Sequence, residues 1–84
     1  MSVIAIASGL ASAVGLGKKI GELLDAKNGA EVADRVVDMA KLITGAPSGE
    51  HALEALNADP EARLRFEEAL VDSEVKLQRI AHLD

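Results

Sequence analysis

Cysteine is absent from the 84 residues, so neither a disulfide nor a thiolate metal site can stabilise the fold or enter its chemistry. This fits a reducing compartment. Tryptophan and tyrosine are absent too, and Phe66 is the single aromatic residue. Aromatic rings normally supply much of the burial in a core, so a core here must be built from Leu, Ile, Val and Ala. Without aromatics there is also no platform on which single-stranded nucleic acid could stack. The formal net charge is −5, which provides no cationic surplus for phosphate and argues against nucleic acid as the main partner. Imidazole is confined to His51 and His82.

The chain is short enough for one domain only, residues 1–84. A domain of this size buries roughly 60–65% of the surface its unfolded chain exposes, which leaves stability marginal. Disulfides, metals and oligomerisation are the usual remedies. The first is excluded here and the second has few ligands to draw on, so oligomerisation is the expected one. Small side chains allow helices to approach closely, which suits helix-on-helix packing.

Charge is distributed unevenly. No ionisable side chain precedes Lys18-Lys19, and every carboxylate lies beyond residue 21. The uncharged run MSVIAIASGLASAVGLG is shorter than the roughly 20 apolar residues of a membrane-spanning helix. Its lysines follow the apolar stretch instead of preceding it, unlike those of a secretory signal. Ala5, Gly9, Ala13, Gly17 and Gly21 recur every four residues and would line one side of a helix as a ridge of small groups. Such a ridge admits a second helix backbone, in lipid or in water. Glycine weakens a helix by about 1 kcal/mol per interior position relative to alanine. This helix, expected over 2–26, therefore depends on packing for its order, and Gly15 to Gly17 is where it would break.

Lys27-Asn28-Gly29 reads as a turn, with Asn28 or Gly29 suited to a left-handed conformation. A second helix is expected over 30–43, with Val32, Ala33, Val36, Val37, Ala40 and Ile43 on one face. Gly45 and Pro47 stop it. Ser48 caps a short third helix, 49–56, whose apolar side is Ala52, Leu53 and Leu56. Asp59 then caps a fourth, 60–81, with Pro60 at the first helical position. Phe66, Leu70, Ser73, Leu77 and Ile80 form a heptad-like seam on it. Leu64, Val71 and Val75 make a second apolar stripe that one partner helix cannot also cover.

No catalytic constellation is legible. His51 and His82 lie on different helices without acidic or cysteine neighbours in a ligand pattern, and a metal site needs three or four converging ligands. Glu67, Glu68 and Asp72 cluster, but paired carboxylates do acid–base work only in a pocket that shifts their pKa values. Gly45 to Gly49 lacks the lysine and the preceding strand of a phosphate loop. No catalytic, cofactor-binding or metal-binding residue is therefore assigned.

The run Ala30-Glu31-Val32-Ala33-Asp34-Arg35-Val36-Val37-Asp38-Met39-Ala40-Lys41 leads into Thr44-Gly45. After it come His51-Ala52-Leu53-Glu54-Ala55-Leu56, Asp59-Pro60-Glu61 and Phe66-Glu67-Glu68-Ala69-Leu70. Across residues 28–84 this pattern resembles the N-terminal part of small phage and prophage proteins called three-transmembrane holins. In that family hydrophobic spans follow the corresponding helix, and no such spans follow here before Asp84. The resemblance thus implies a phage setting and a helical module for protein contacts, residues 28–84. The small-residue pattern itself makes residues 1–27 an apolar packing helix before it.

The expectation is an all-α chain of four helices, either a small bundle or an extended protomer that packs in an oligomer. Its expected role is that of a non-catalytic phage structural or assembly protein, in the virion or the host cytoplasm. It would pack against copies of itself and other virion proteins, with no nucleic acid and no cofactor. The contacts would be made by Ala5, Gly9, Ala13 and Gly17 on the first helix and Phe66, Leu70, Leu77 and Ile80 on the last. The alternative is a holin-like lysis protein at the host inner membrane that inserts residues 2–17 into lipid.

Overall fold

The uncharged N-terminal run folds as two helices rather than one. A computed structural model describes residues 2–83, with Met1 and Asp84 outside the description. Its described residues form α1 (Val3–Ala13), α2 (Gly17–Leu24), α3 (Gly29–Thr44), α4 (Gly49–Ala58) and α5 (Pro60–Ala81), with no strand among them. Five described helices replace the four expected because Gly15 takes a left-handed conformation, φ 78°. Its N–H donates to the Ser12 carbonyl at 3.1 Å, and the Leu16 N–H reaches back to the Ala11 carbonyl at 2.9 Å. Together these bonds make a Schellman stop, which satisfies the last carbonyls of α1 and turns the chain. The turn lets α2 fold back, so that Ile6, Ala7, Leu10 and Ala11 of α1 share one core with Ile20, Leu23 and Leu24 of α2.

The other helix ends follow their local chemistry. Ser48 Oγ accepts from the His51 N–H at 3.2 Å, and Asp59 Oδ1 accepts from the N–H groups of Glu61 and Ala62 at 3.0 and 3.3 Å. Each cap of this kind is worth about 1 kcal/mol. Gly45, φ 74°, ends α3 with a single bond from its N–H to the Lys41 carbonyl at 2.8 Å. The turn at Lys27–Gly29 works differently from expectation, since Asn28 has φ −107° and only Gly15 and Gly45 have positive φ among the described residues. Gly29 is needed for closeness instead. A Cβ there would collide with the Leu24 carbonyl oxygen.

Asn28 ties the two ends of the helical array together. Its Nδ2 donates to the Ile80 and Leu83 carbonyls at 3.0 and 2.6 Å, and its N–H donates to the Ala81 carbonyl at 3.2 Å. The end of α5 is thereby capped by the start of α3, and the two helices run antiparallel. Farther along the same seam Ser73 Oγ meets Met39 Sδ at 3.6 Å. At the α4–α5 corner the Arg63 guanidinium donates to the Leu56 and Asn57 carbonyls at 2.7 and 3.0 Å.

Helix α1 packs on α3 and α4, and α3 packs in turn on α5. Gly49 lies close enough to Ile6 that a Cβ would come within 2.7 Å of its Cγ2, so α4 starts directly on α1. Among the described residues no polar or charged side chain is buried. The largest of the fully buried side chains are Phe66, Leu10, Ile20, Leu56, Leu70 and Leu77. Burying a side chain of this size contributes roughly 1.5–3 kcal/mol.

The radius of gyration is 11.4 Å, against about 12 Å for a compact domain of this length. The accessible surface is 4850 Å², and a folded monomer of 8.7 kDa exposes roughly 4,700 Å². Of the two architectures expected, the small bundle is the one observed. The protomer closes its own core and is not an extended rod.

Candidate protein-contact surface

Burial removes three of the eight expected contact residues from the surface and half-buries four more. Phe66, Leu70 and Leu77 lie in the chain's own core, and Ile80 is half-buried against it. The heptad-like seam of α5 is satisfied within the protomer, chiefly by α3. Phe66 and Leu70 therefore offer nothing to a second molecule while the bundle is intact, whereas Leu77 and Ile80 contribute to the wall of a groove at the α3–α5 seam. The small-residue ridge is likewise used internally. A Cβ on Gly9 would stand 3.4 Å from Leu53 of α4, and one on Gly17 would press on the Ser12 hydroxyl. Ala13 is half-buried, and of the ridge residues named only Ala5 is exposed.

What α5 leaves uncovered is its other stripe. Leu64, Val71 and Val75 are 56%, 52% and 69% exposed. At 100° per residue they fall within about 40° of one another, and roughly 120–160° around the helix from Phe66, Leu70, Leu77 and Ile80. The second stripe is thus on the far side of the helix from the first. Glu67, Glu68 and Asp72 surround Val71 in a shallow depression, so this face is both apolar and acidic.

A second exposed apolar feature lies at the α3–α5 seam, apart from the isolated Ile4 and Leu83. Arg35, Asp38, Met39, Leu42, Ser73, Lys76, Leu77 and Ile80 line a groove of about 330 Å³. Leu42 is 84% exposed at its edge. Lys41 adjoins Leu42 in a second hollow that extends to Gly45 and Ala46. Three cations, Arg35, Lys41 and Lys76, therefore stand around this apolar patch against one carboxylate, Asp38. In a chain of net charge −5 this patch is locally basic.

The residues weighed for chemistry are scattered. His51 Nδ1 lies 2.7 Å from Ser48 Oγ, a local contact within the N-terminal cap of α4. His82 is exposed at the end of α5, far along the chain from it. Among the described residues no group of three or more His, Asp or Glu is placed to hold a metal ion. The Lys19 ammonium meets Glu74 Oε1 at 3.0 Å, which ties α2 to α5. Arg65 and Glu61 pair at 2.7 Å along α5. Both pairs are partly or well exposed, and such pairs contribute about 0–1 kcal/mol each.

Among the described residues no helix is long and apolar enough to cross a membrane. No family model, curated protein or solved structure matches the chain.

The apolar spacing marks both stripes of α5, and counting helical angles from Leu64 separates them. The Leu42 patch had no such signal, because Leu42 falls outside the apolar spacing of α3 and its exposure depends on where α5 crosses.

Proposed function

We propose that this protein is a non-catalytic helical component of bacteriophage assembly that acts by packing its surface against copies of itself and other virion proteins. The observation that carries the reading is the uncovered apolar stripe of α5, Leu64, Val71 and Val75, on a bundle whose core is already closed without it. A closed core does not need these side chains outside. Exposed apolar patches ringed by polar groups mark protein contacts on soluble folds. The phage setting draws on the helical punctuation of residues 28–84 and adds the host cytoplasm or the virion as the place of action.

The reading is also supported by the use made of residues 2–17. Ile6, Ala7, Leu10 and Ala11 are buried in the core, so delivering them to lipid would require opening the bundle.

Gradient fractionation of a phage-producing host lysate tests the proposal, with the chain followed by antibody. It is expected to band with particles or their assembly intermediates. Recovery in the membrane fraction would replace this reading with the lysis one. Recovery as free protein throughout would remove the virion role.

A further inference from the structure

We infer that copies of this chain associate head to tail, the basic Leu42 patch of one docking on the acidic outer face of α5 of the next. This deepens the reading above, resting on it for the idea that the chain works through contacts, and names the surfaces and their geometry.

Charge complementarity selects the occupant. One patch presents Leu42 and Met39 among Arg35, Lys41 and Lys76. The other presents Val71 among Glu67, Glu68 and Asp72, with Leu64 and Val75 along the same stripe. Each pairs an exposed apolar centre with charges of one prevailing sign, and the signs are opposite. Ion pairs among the described residues join Lys19 to Glu74 and Arg65 to Glu61, and none of them draws on these two charged sets. Opposed patches of this kind steer encounter and fix register.

The shapes also correspond. The groove beside Leu42 holds about 330 Å³, room for a Val or Leu side chain from a facing helix. The α5 stripe is such a helix face, with apolar groups spaced along about 16 Å between Leu64 and Val75 at 1.5 Å per residue.

The relative placement decides the symmetry. The groove residues on α5, namely Ser73, Lys76, Leu77 and Ile80, lie roughly 120–180° around the helix from the outer stripe. Neither patch can face its own copy across a two-fold axis without bringing like charges together. The contact is therefore heterologous, and heterologous contacts repeat into rings or open filaments.

The test is sedimentation velocity of the full chain over a range of concentrations, with Leu42→Asp and Val71→Lys as variants at exposed positions and circular dichroism to check folding. The unaltered chain should grow in mass beyond a dimer, and salt at about 1 M, where the Debye length is about 3 Å, should weaken association at least tenfold. Each variant alone should stay monomeric. An equimolar mixture should form dimers and stop there, because each variant retains the face the other has lost.

Three outcomes overturn the inference: an unaltered chain that is monomeric at every concentration, growth that ends at a dimer in the unaltered chain, or a mixture that stays monomeric. All three leave the fractionation result untouched, since a chain that does not self-associate can still band with particles. If either variant fails to fold, Lys76→Glu and Glu68→Lys repeat the complementation with milder changes on the same two faces.

Discussion

Residues 3–24 and 60–81 are stretches of equal length that solve the same packing problem in opposite ways. The first is apolar over most of its length, contains Gly9, Gly15, Gly17 and Gly21, and bends at Gly15. Bending lets it place seven residues in the core from two directions. The second, α5, contains no glycine, continues unbroken for 22 residues, and buries Ala62, Phe66, Leu70, Leu77 and Ala81 along one side. A continuous helix on the surface of a small bundle leaves its outer side in water, and there α5 carries Leu64, Val71 and Val75. The bent stretch turns most of its large apolar groups inward, with Ile4 left 39% exposed, and the continuous one displays three of them at more than half exposure.

The comparison breaks first at the core. Leu10 is fully buried on α1, and Leu10→Ala should destabilise the fold by about 2–5 kcal/mol through lost burial and the cavity left behind. A small domain has only about 5–15 kcal/mol in total, so the variant should unfold at much lower denaturant. Urea unfolding followed by circular dichroism measures this. A change near zero would mean that the N-terminal segment is not part of the cooperative core, and the inward role assigned to it would be wrong.

A sharper test lies in the glycines themselves. At Gly15 there is open space for a Cβ, but the φ of 78° is left-handed. Gly15→Ala should therefore destabilise by about 1–2 kcal/mol, the backbone penalty alone. Gly21 also has open space and sits inside α2 with an ordinary helical backbone. Gly21→Ala should stabilise by about 0.5–1 kcal/mol through helix propensity and reduced freedom of the unfolded chain. The same substitution six residues apart should thus change sign in the unfolding midpoint. Equal effects at both positions would mean that the bend at Gly15 is not held in the folded state.

Much of the secondary structure was legible because it rests on local chemistry. Asp59-Pro60 marks the start of α5, Ser48 the start of α4 and Gly45 the end of α3 from side chain and backbone needs alone. The division at Gly15 was legible only as a weak point. Four glycines lower the stability of a continuous helix, but the fold-back that rewards a turn comes from contacts of α2 with α3 and α5. The contact surface was the least legible part. Apolar spacing shows that Phe66, Leu70 and Leu77 share a face, and it cannot tell whether α3 of the same chain or another molecule covers them. The clasp of Asn28 on the end of α5 was hidden for the same reason, since it joins residues 52 positions apart.

The smallest effect is expected on the outer stripe, and it bears most directly on the contrast between the two stretches. Leu64 and Val75 are both more than half exposed and face away from the buried side of α5. The double substitution Leu64→Gln and Val75→Gln replaces them with a residue of good helix propensity. It should change the unfolding free energy of the monomer by less than about 0.5 kcal/mol, as surface substitutions away from caps and cores do. Urea unfolding at low protein concentration, where association is negligible, provides the measurement. A loss well above 1 kcal/mol would mean that these side chains stabilise the isolated fold, so α5 would be no less inward-turned than α1. A negligible loss would leave the stripe without a role inside the protomer, and its apolar character would then need a second molecule to account for it.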